Sequence, residues 1–341
     1  MKKHLFVLSA LVLVVLSFGL MPSVSAETNF HTTAQSAIVM ERSSHRVLYS
    51  KNCDERLPMA STTKIVTALT VIDNCNLDEV VKIPAQAVGI EGSSVYLRTG
   101  EHLTVRELLY GLMLRSGNDC AVALALHAAG SIDAFSQMMM QTASKLGCQD
   151  CRFVNPHGLP DDNHYISARD LATITCAALD NSDFSQIVAT KSIQISNEGM
   201  EYDRVLVNKN KLLSTFDDAD GVKTGYTKKA GRCFVGSATR DGMQVVVVVL
   251  NCGPMFEETA DMLNAAFDNY RLQCAIPENK VCGSRIENGQ TCYYYCPQRF
   301  TYPVLSDETI TTQADFLSET PTIKVYLDGK VVFERQLIRC K

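Results

Sequence analysis

Five consecutive valines, Val245 to Val249, form an apolar run with no polar residue on either side of the pleat. So short a β-branched run reads as a strand, and apolar residues at every position mean that both of its faces are buried. A sheet containing such a strand needs cover above and below it. The turn Asp241-Gly242 precedes the run, and Cys233 to Ala238 lies on the far side of that turn, so the two segments form an antiparallel hairpin.

The remaining elements supply the cover. Ala37 to Met40 and Arg46 to Tyr49 flank the polar turn Arg42-Ser43-Ser44-His45 and read as a second hairpin. Ile65, Ala68, Leu69 and Ile72 recur at helical spacing. Thr104-x-x-Glu107 is a capping box that opens a helix from Val105 to Leu114. Ala121 to Ala129 has almost no polar face and reads as a buried core helix, and another helix runs from Ile132 to Leu146. Ser167-x-x-Asp170 caps a helix reaching Leu179, and a last one spans Glu257 to Tyr270. Lys191 to Ile195 and Arg204 to Val207 alternate like strands. Helices in runs and strands in hairpins indicate a mixed α/β (α+β) fold, an antiparallel sheet flanked by helices.

Beyond Leu272 the chain changes to short β-like runs, among them Thr291 to Tyr295, Thr322 to Tyr326 and Lys330 to Phe333. These predict a small C-terminal all-β domain over 273–341, after a larger domain over 27–272. Residues 1–26 stand apart from both. Lys2 and Lys3, an apolar run from Leu5 to Leu20, and Val24-Ser25-Ala26 have the layout of a secretory signal cleaved before Glu27. An exported, extracytoplasmic protein is expected.

Removal of Lys2 and Lys3 takes the formal charge from −5 to −7, which argues against nucleic acid as a partner. Thirteen cysteines cannot all pair internally. Cys148 and Cys151 sit in a helix-exit turn with no second pair near them, so a zinc reading is not adopted. Cys274, Cys282, Cys292 and Cys296 read as possible disulfides of the small domain. His157, His164, Asp161 and Asp162 fit no helical ligand spacing and read as a structural loop, so no metal and no cofactor is expected.

The chemistry is carried by three short segments. Ser61 and Lys64 lie three residues apart at the start of a helix, on one face, which brings an amine to a hydroxyl. If burial keeps that amine neutral, it can take the serine proton and make Ser61 a nucleophile. Ser116-Gly117-Asn118 follows at a helix exit, and Lys223-Thr224-Gly225 on a strand. S-x-x-K, S-D-N and K-T-G are together the signature of penicillin-binding proteins and class A β-lactamases, and Ser116-Gly117-Asn118 stands in the place of the second. The flanks narrow the match: Ala60 to Thr67, Leu114 to Asp119, Phe153-x-Asn155-Pro156-His157-Gly158-Leu159, and Asp220 to Thr227. Together they closely resemble the low-molecular-mass penicillin-binding proteins that are serine-type D-Ala-D-Ala carboxypeptidases. The resemblance covers about residues 35–272 and, more loosely, the β domain.

The resemblance implies the penicillin-binding protein/β-lactamase-like transpeptidase fold and a set of roles. Ser61 is the acyl-ester nucleophile, Lys64 the general base, and Ser116 the relay that protonates the leaving D-alanine. Asn118 holds the substrate amide, Lys223 adds positive charge near the relay, and Thr224 with Gly225 meets the substrate on a strand open to edge pairing. The backbone N–H groups of Ser61 and Tyr226 form the oxyanion hole. The implied partners are peptidoglycan stem peptides ending in D-Ala-D-Ala, with β-lactams as covalent inhibitors. The alternatives are a class A-like β-lactamase, whose deacylation relies on a Glu that this loop replaces with Asp161 and Asp162, or a catalytically silent wall-binding relative.

Three departures stand out. Met59 occupies the place before Ala60 where many members have Pro. No Arg occurs between Arg240 and Arg271, although many members carry one near the position of Met255-Phe256 to bind the substrate carboxylate. The chain ends in a strand-like alternation from Val331 and not in an amphipathic membrane helix, so release, wall contacts or an uncleaved signal is expected.

Overall fold

The computed structural model describes residues 29–340, so the expected leader over 1–26 lies outside the described residues. Its centre is a five-stranded antiparallel sheet in the order Val47–Lys51, Ser36–Glu41, Met243–Leu250, Gly231–Arg240, Ala219–Thr227. The valine run is its middle strand, paired through Val39 opposite Val247 on one side and Gly236 opposite Val247 on the other. Val245 to Val249 have no exposed surface. At roughly 1.5–3 kcal/mol for each fully buried side chain, this strand alone favours the layered arrangement strongly.

The two faces of the run feed two cores. Val246, Val248 and Leu250 pack with Ile38 and Met40 against helices α1 (Lys64–Asn74), α2 (Val105–Leu114), α3 (Asn118–Ala129), α4 (Ile132–Lys145), α5 (Ala168–Leu179) and α6 (Ser182–Ala189). Val245, Val247 and Val249 pack with Ala37 and Val39 against α8 (Met255–Asn269), α7 (Leu212–Thr215) contributing Leu212. Side-chain caps set where these helices begin. Thr104 and Glu107 complete both halves of the capping box on α2, and Ser167 accepts from the Asp170 N–H at 3.1 Å to open α5. Helix α6 had no expectation attached. Its signal is Asn181, whose Oδ1 accepts from the N–H groups of Asp183 and Phe184 at 2.9 and 3.1 Å.

Ala219–Thr227 is an edge strand of the sheet, paired on one side through Lys223 opposite Val235. From Arg271 onward the chain is all β: Arg271–Ile276 pairs with Phe300–Val304, and two three-stranded sheets surround a separate cluster that includes Ile276, Tyr294, Ile323 and Val325. Arg46 ties this region to the first hairpin. It forms a mostly buried ion pair with Glu308, and its guanidinium lies 5.2 Å from the Tyr270 ring and 5.3 Å from that of Tyr302.

The expectation of disulfides in this region is corrected. All thirteen cysteines are free thiols. Strand register explains the four singled out: Cys292 stands opposite Arg285, Cys296 opposite Lys280, Cys274 opposite Thr301, and Cys282 falls in a bulge between Val281 and Gly283. No two of them are cross-strand partners.

Candidate active site

The nucleophile motif begins in a single 3₁₀ turn, Ala60–Thr63, that continues into α1 at Lys64. The turn is tight enough to hold Ala60 at a φ of +49°, and its neighbours keep it there. Thr62 Oγ1 donates to the Met59 carbonyl at 2.7 Å, and Thr63 Oγ1 donates to the Ala60 carbonyl at 2.8 Å. Gly158, at a φ of +88°, lies so close that a Cβ on it would sit 1.9 Å from the Ala60 oxygen. Behind Thr63 stands His164. Its Nδ1 accepts from the Val154 N–H at 3.1 Å, which leaves the proton on Nε2 to donate to Thr63 Oγ1 at 2.9 Å.

Lys64 is wholly buried. Its Nζ donates to Asn118 Oδ1 at 2.7 Å and to the His157 carbonyl at 2.6 Å, and lies 3.1 Å from Ser61 Oγ. Burial, then the charge of Lys223, pushes its pKa well below the ordinary lysine range. A neutral amine has two N–H donors and one lone pair. The two carbonyl oxygens are pure acceptors and use both donors, so the lone pair is what faces the Ser61 hydroxyl.

Asn118 starts α3 and spends its amide inside the protein: Oδ1 accepts from Lys64, and Nδ2 donates to the Glu91 carbonyl at 2.6 Å. Gly92 permits that approach, because a Cβ there would meet Asn118 Nδ2 at 2.8 Å. Ser116 precedes it at a φ of +64°, buried, with no protein partner for its Oγ. A strained serine with an unsatisfied hydroxyl is a costly arrangement that folding alone does not require.

The Lys223 strand passes beside the turn; a Cβ on Gly225 would stand 3.1 Å from both the Ser61 nitrogen and the Met59 oxygen. Lys223 is buried and donates to the Thr224 carbonyl at 3.1 Å. Burial, aided by the charge of Lys209, brings its pKa down to about 7. Ser61, Ser116, Thr224, Gly225 and Tyr226 line one cleft of about 310 Å³, with Ser93, Lys209, Met255 and Phe256 completing it. A larger depression of about 660 Å³, lined by Gln137, Arg152 and Tyr165 among others, contains none of the three motifs. Among the described residues, no three His, Cys, Asp or Glu side chains are grouped to hold a metal ion.

A family model described as D-alanyl-D-alanine carboxypeptidase matches residues 23–253. The chain belongs to the D-alanyl-D-alanine carboxypeptidase family. D-alanyl-D-alanine carboxypeptidase DacF of Bacillus subtilis is 33% identical over 298 residues, covering 83% of this chain and 76% of that protein. A solved D-alanyl-D-alanine carboxypeptidase of Mycobacterium tuberculosis superposes with a TM-score of 0.66 at 31% identity, over 70% of this chain and 92% of the other. Penicillin binding protein 5 of Haemophilus influenzae shares the fold along nearly the whole length, with a TM-score of 0.80 at 24% identity, covering 91% and 97%. The chain is accordingly a serine-type carboxypeptidase, a hydrolase.

In this carboxypeptidase the structure adds residues to which sequence reading attached no role. Asp119, next to Asn118, accepts from Ser94 Oγ at 2.5 Å and from the N–H groups of Val95 and Leu97 at 3.0 and 3.1 Å, and so holds the loop carrying Gly92 and Ser93. Its place in the first turn of a buried helix is the signal that could have found it. The loop containing His157 and His164, read as structural, contributes a carbonyl to Lys64 and an imidazole to Thr63.

Proposed function

We propose that this carboxypeptidase removes the terminal D-alanine from peptidoglycan stem peptides through an acyl-enzyme on Ser61. The Ser61 proton passes to the lone pair of Lys64 as Oγ bonds to the carbonyl carbon between the two D-alanines. The tetrahedral oxygen is received by the backbone N–H groups of Ser61 and Tyr226, where loss of one donor costs about 3–4 kcal/mol. As the C–N bond breaks, Ser116 gives its proton to the leaving amine and takes in its place the proton held on Lys64, which returns the lysine to its neutral form. Thr224 binds the terminal carboxylate, Lys223 supplies positive charge, and the edge strand pairs with the peptide backbone. Water then hydrolyses the ester. The protein acts outside the cytoplasm.

The observation that carries this reading is the place of Lys64 Nζ, wholly buried and 3.1 Å from Ser61 Oγ: as a neutral amine it spends both donors on the carbonyls at 2.6 and 2.7 Å and keeps its lone pair for Ser61. β-Lactams, which present a strained amide with a nearby carboxylate, are expected to acylate the same serine. Release of that acyl group is expected to be slow, since among the described residues no Asp or Glu lines the cleft. Asp162 is exposed and paired with Lys229, and both it and Asp161 line a different pocket.

The test is release of D-alanine from a short peptide ending in D-Ala-D-Ala. The wild-type protein should release it, and Ser61→Ala should not. Rapid turnover of penicillin would instead favour the β-lactamase reading, and absence of release from a folded wild type would favour a silent wall-binding protein.

A further inference from the structure

Lys209 lies in the cleft but takes no part in the proton path. Its Nζ donates to Ser93 Oγ at 2.9 Å, and its backbone N–H donates to the Leu114 carbonyl, the end of α2, at 3.1 Å. The residues on either side are pinned as well. Asn208 Nδ2 donates to the Thr190 carbonyl at 2.9 Å, and Asn210 Oδ1 accepts from the Leu212 N–H at 3.0 Å. The side chain is therefore presented to the cleft by a fixed segment and not by a free loop.

Its charge has no counter-ion among the described residues. No carboxylate lies within ion-pair distance of Nζ, and the ionisable groups that act on it or that it acts upon, Arg115, Lys64 and Lys223, are all basic side chains. Burial and Arg115 lower its pKa. Of the residues lining the cleft, Lys209 is the one with an exposed charge; Met255 and Phe256 are apolar, and the other side chains are hydroxyls or glycine. Ser116, whose buried Oγ has no protein partner, lines the same cleft. A cleft whose exposed charge is one cation set among hydroxyl donors, with no carboxylate among the described residues of its lining, is complementary to an anion.

We infer that Lys209 is a specificity-determining residue, the cation that selects substrates by their free terminal carboxylate. The inference rests on the carboxypeptidase reading of the Ser61 cleft. Thr224 supplies a neutral hydrogen bond to that carboxylate, and Lys209 supplies the charge.

The experiment compares two substrates on the full chain, an acylated peptide ending in D-Ala-D-Ala and the same peptide as its C-terminal amide, by the rate of release of D-alanine or D-alaninamide. The wild type should prefer the carboxylate. In Lys209→Gln, kcat/KM for the carboxylate peptide should fall roughly 10- to 100-fold, mainly through KM, as expected for loss of a charge-assisted hydrogen bond. The amide peptide should be nearly unaffected, so the preference collapses, and Lys209→Arg should restore it. Equal losses on both substrates would show a merely structural role and overturn the inference. A displaced pH profile with the preference intact would show that Lys209 acts only on the lysine pair, and would overturn it as well. If the folded wild type releases nothing from either peptide, the carboxypeptidase reading itself fails, and the inference falls with it.

Discussion

His164 and Thr63 are joined by a hydrogen bond of 2.9 Å that ends at the turn carrying the nucleophile, since Thr63 passes its own proton to the Ala60 carbonyl. The imidazole must be neutral to do this, because Nδ1 is already an acceptor. Burial lowers the pKa of His164 to about 4 and that of His157 to about 3, from an ordinary 6.5.

A stability profile follows from those two shifts. Between the unfolded value of 6.5 and the folded values, the unfolded imidazoles bind more protons, so their contribution to stability is complete above pH 6.5 and declines as pH falls toward 4. Glu258, held at about 2 by Thr32, Thr33 and Cys252 against the opposing effect of burial, adds its loss only below the ordinary value of 4.5. Comparing thermal melts of wild type and His164→Asn between pH 6.5 and 4.5 therefore reads the imidazole by difference, the other buried groups being common to both. His164→Asn should flatten this slope, and loss of the bond to Thr63 should cost roughly 1–3 kcal/mol at pH 7.

The neutral amine makes a prediction of the same sense at higher pH. Above pH 7 an unfolded Lys64 carries a proton that the folded one lacks, so wild-type stability gains on that of Lys64→Met as pH rises from 7 to 10. The difference should move by about 1.4 kcal/mol per pH unit. Paired denaturant titrations across this range measure it; a difference independent of pH would mean that Lys64 is protonated in the fold.

The lysine pair should also shape the rate profile. Lys223, at about 7, loses its charge near neutrality, so kcat/KM for D-alanine release should fall on the alkaline side with an apparent pKa belonging to the pair. Lys223→Arg keeps the charge and should push that limb to higher pH. Initial rates from pH 5 to 10 on both proteins decide it.

Two glycines separate backbone strain from close contact. Gly130 and Gly158 both have positive φ, at +75° and +88°, but only Gly158 has atoms near the place a Cβ would occupy. Gly130→Ala should cost about 1 kcal/mol and leave activity intact. Gly158→Ala must displace the Ala60 carbonyl, and should cost several times as much and abolish D-alanine release; urea unfolding and a rate assay on each test the contrast.

Much of this was legible in the chain. The valine run announced a sheet covered on both sides, Thr104-Glu107 and Ser167 announced helix starts, and the three motifs fall at one cleft, the first two at helix boundaries and the third within the edge strand Ala219–Thr227. Less legible was whatever depends on tertiary approach. Nothing local in Thr63 or His164 shows that they meet, Lys209 looks like any surface lysine, and the bulge that takes Cys282 out of cross-strand register is invisible in the cysteine spacing. Asn118 is the subtler case. Its place in the motif is readable, but that its amide is spent on Lys64 and Glu91 is a property of the packed site.

The account stands on Ser61 giving its proton to a neutral Lys64 and becoming the acylated atom. Peptide mass spectrometry after brief exposure to penicillin tests this most directly. A single adduct that persists for minutes on the peptide containing Ser61, and is absent in Lys64→Met at pH 7, is the expected result. An adduct on any other peptide, or equal labelling with Lys64 removed, would contradict it.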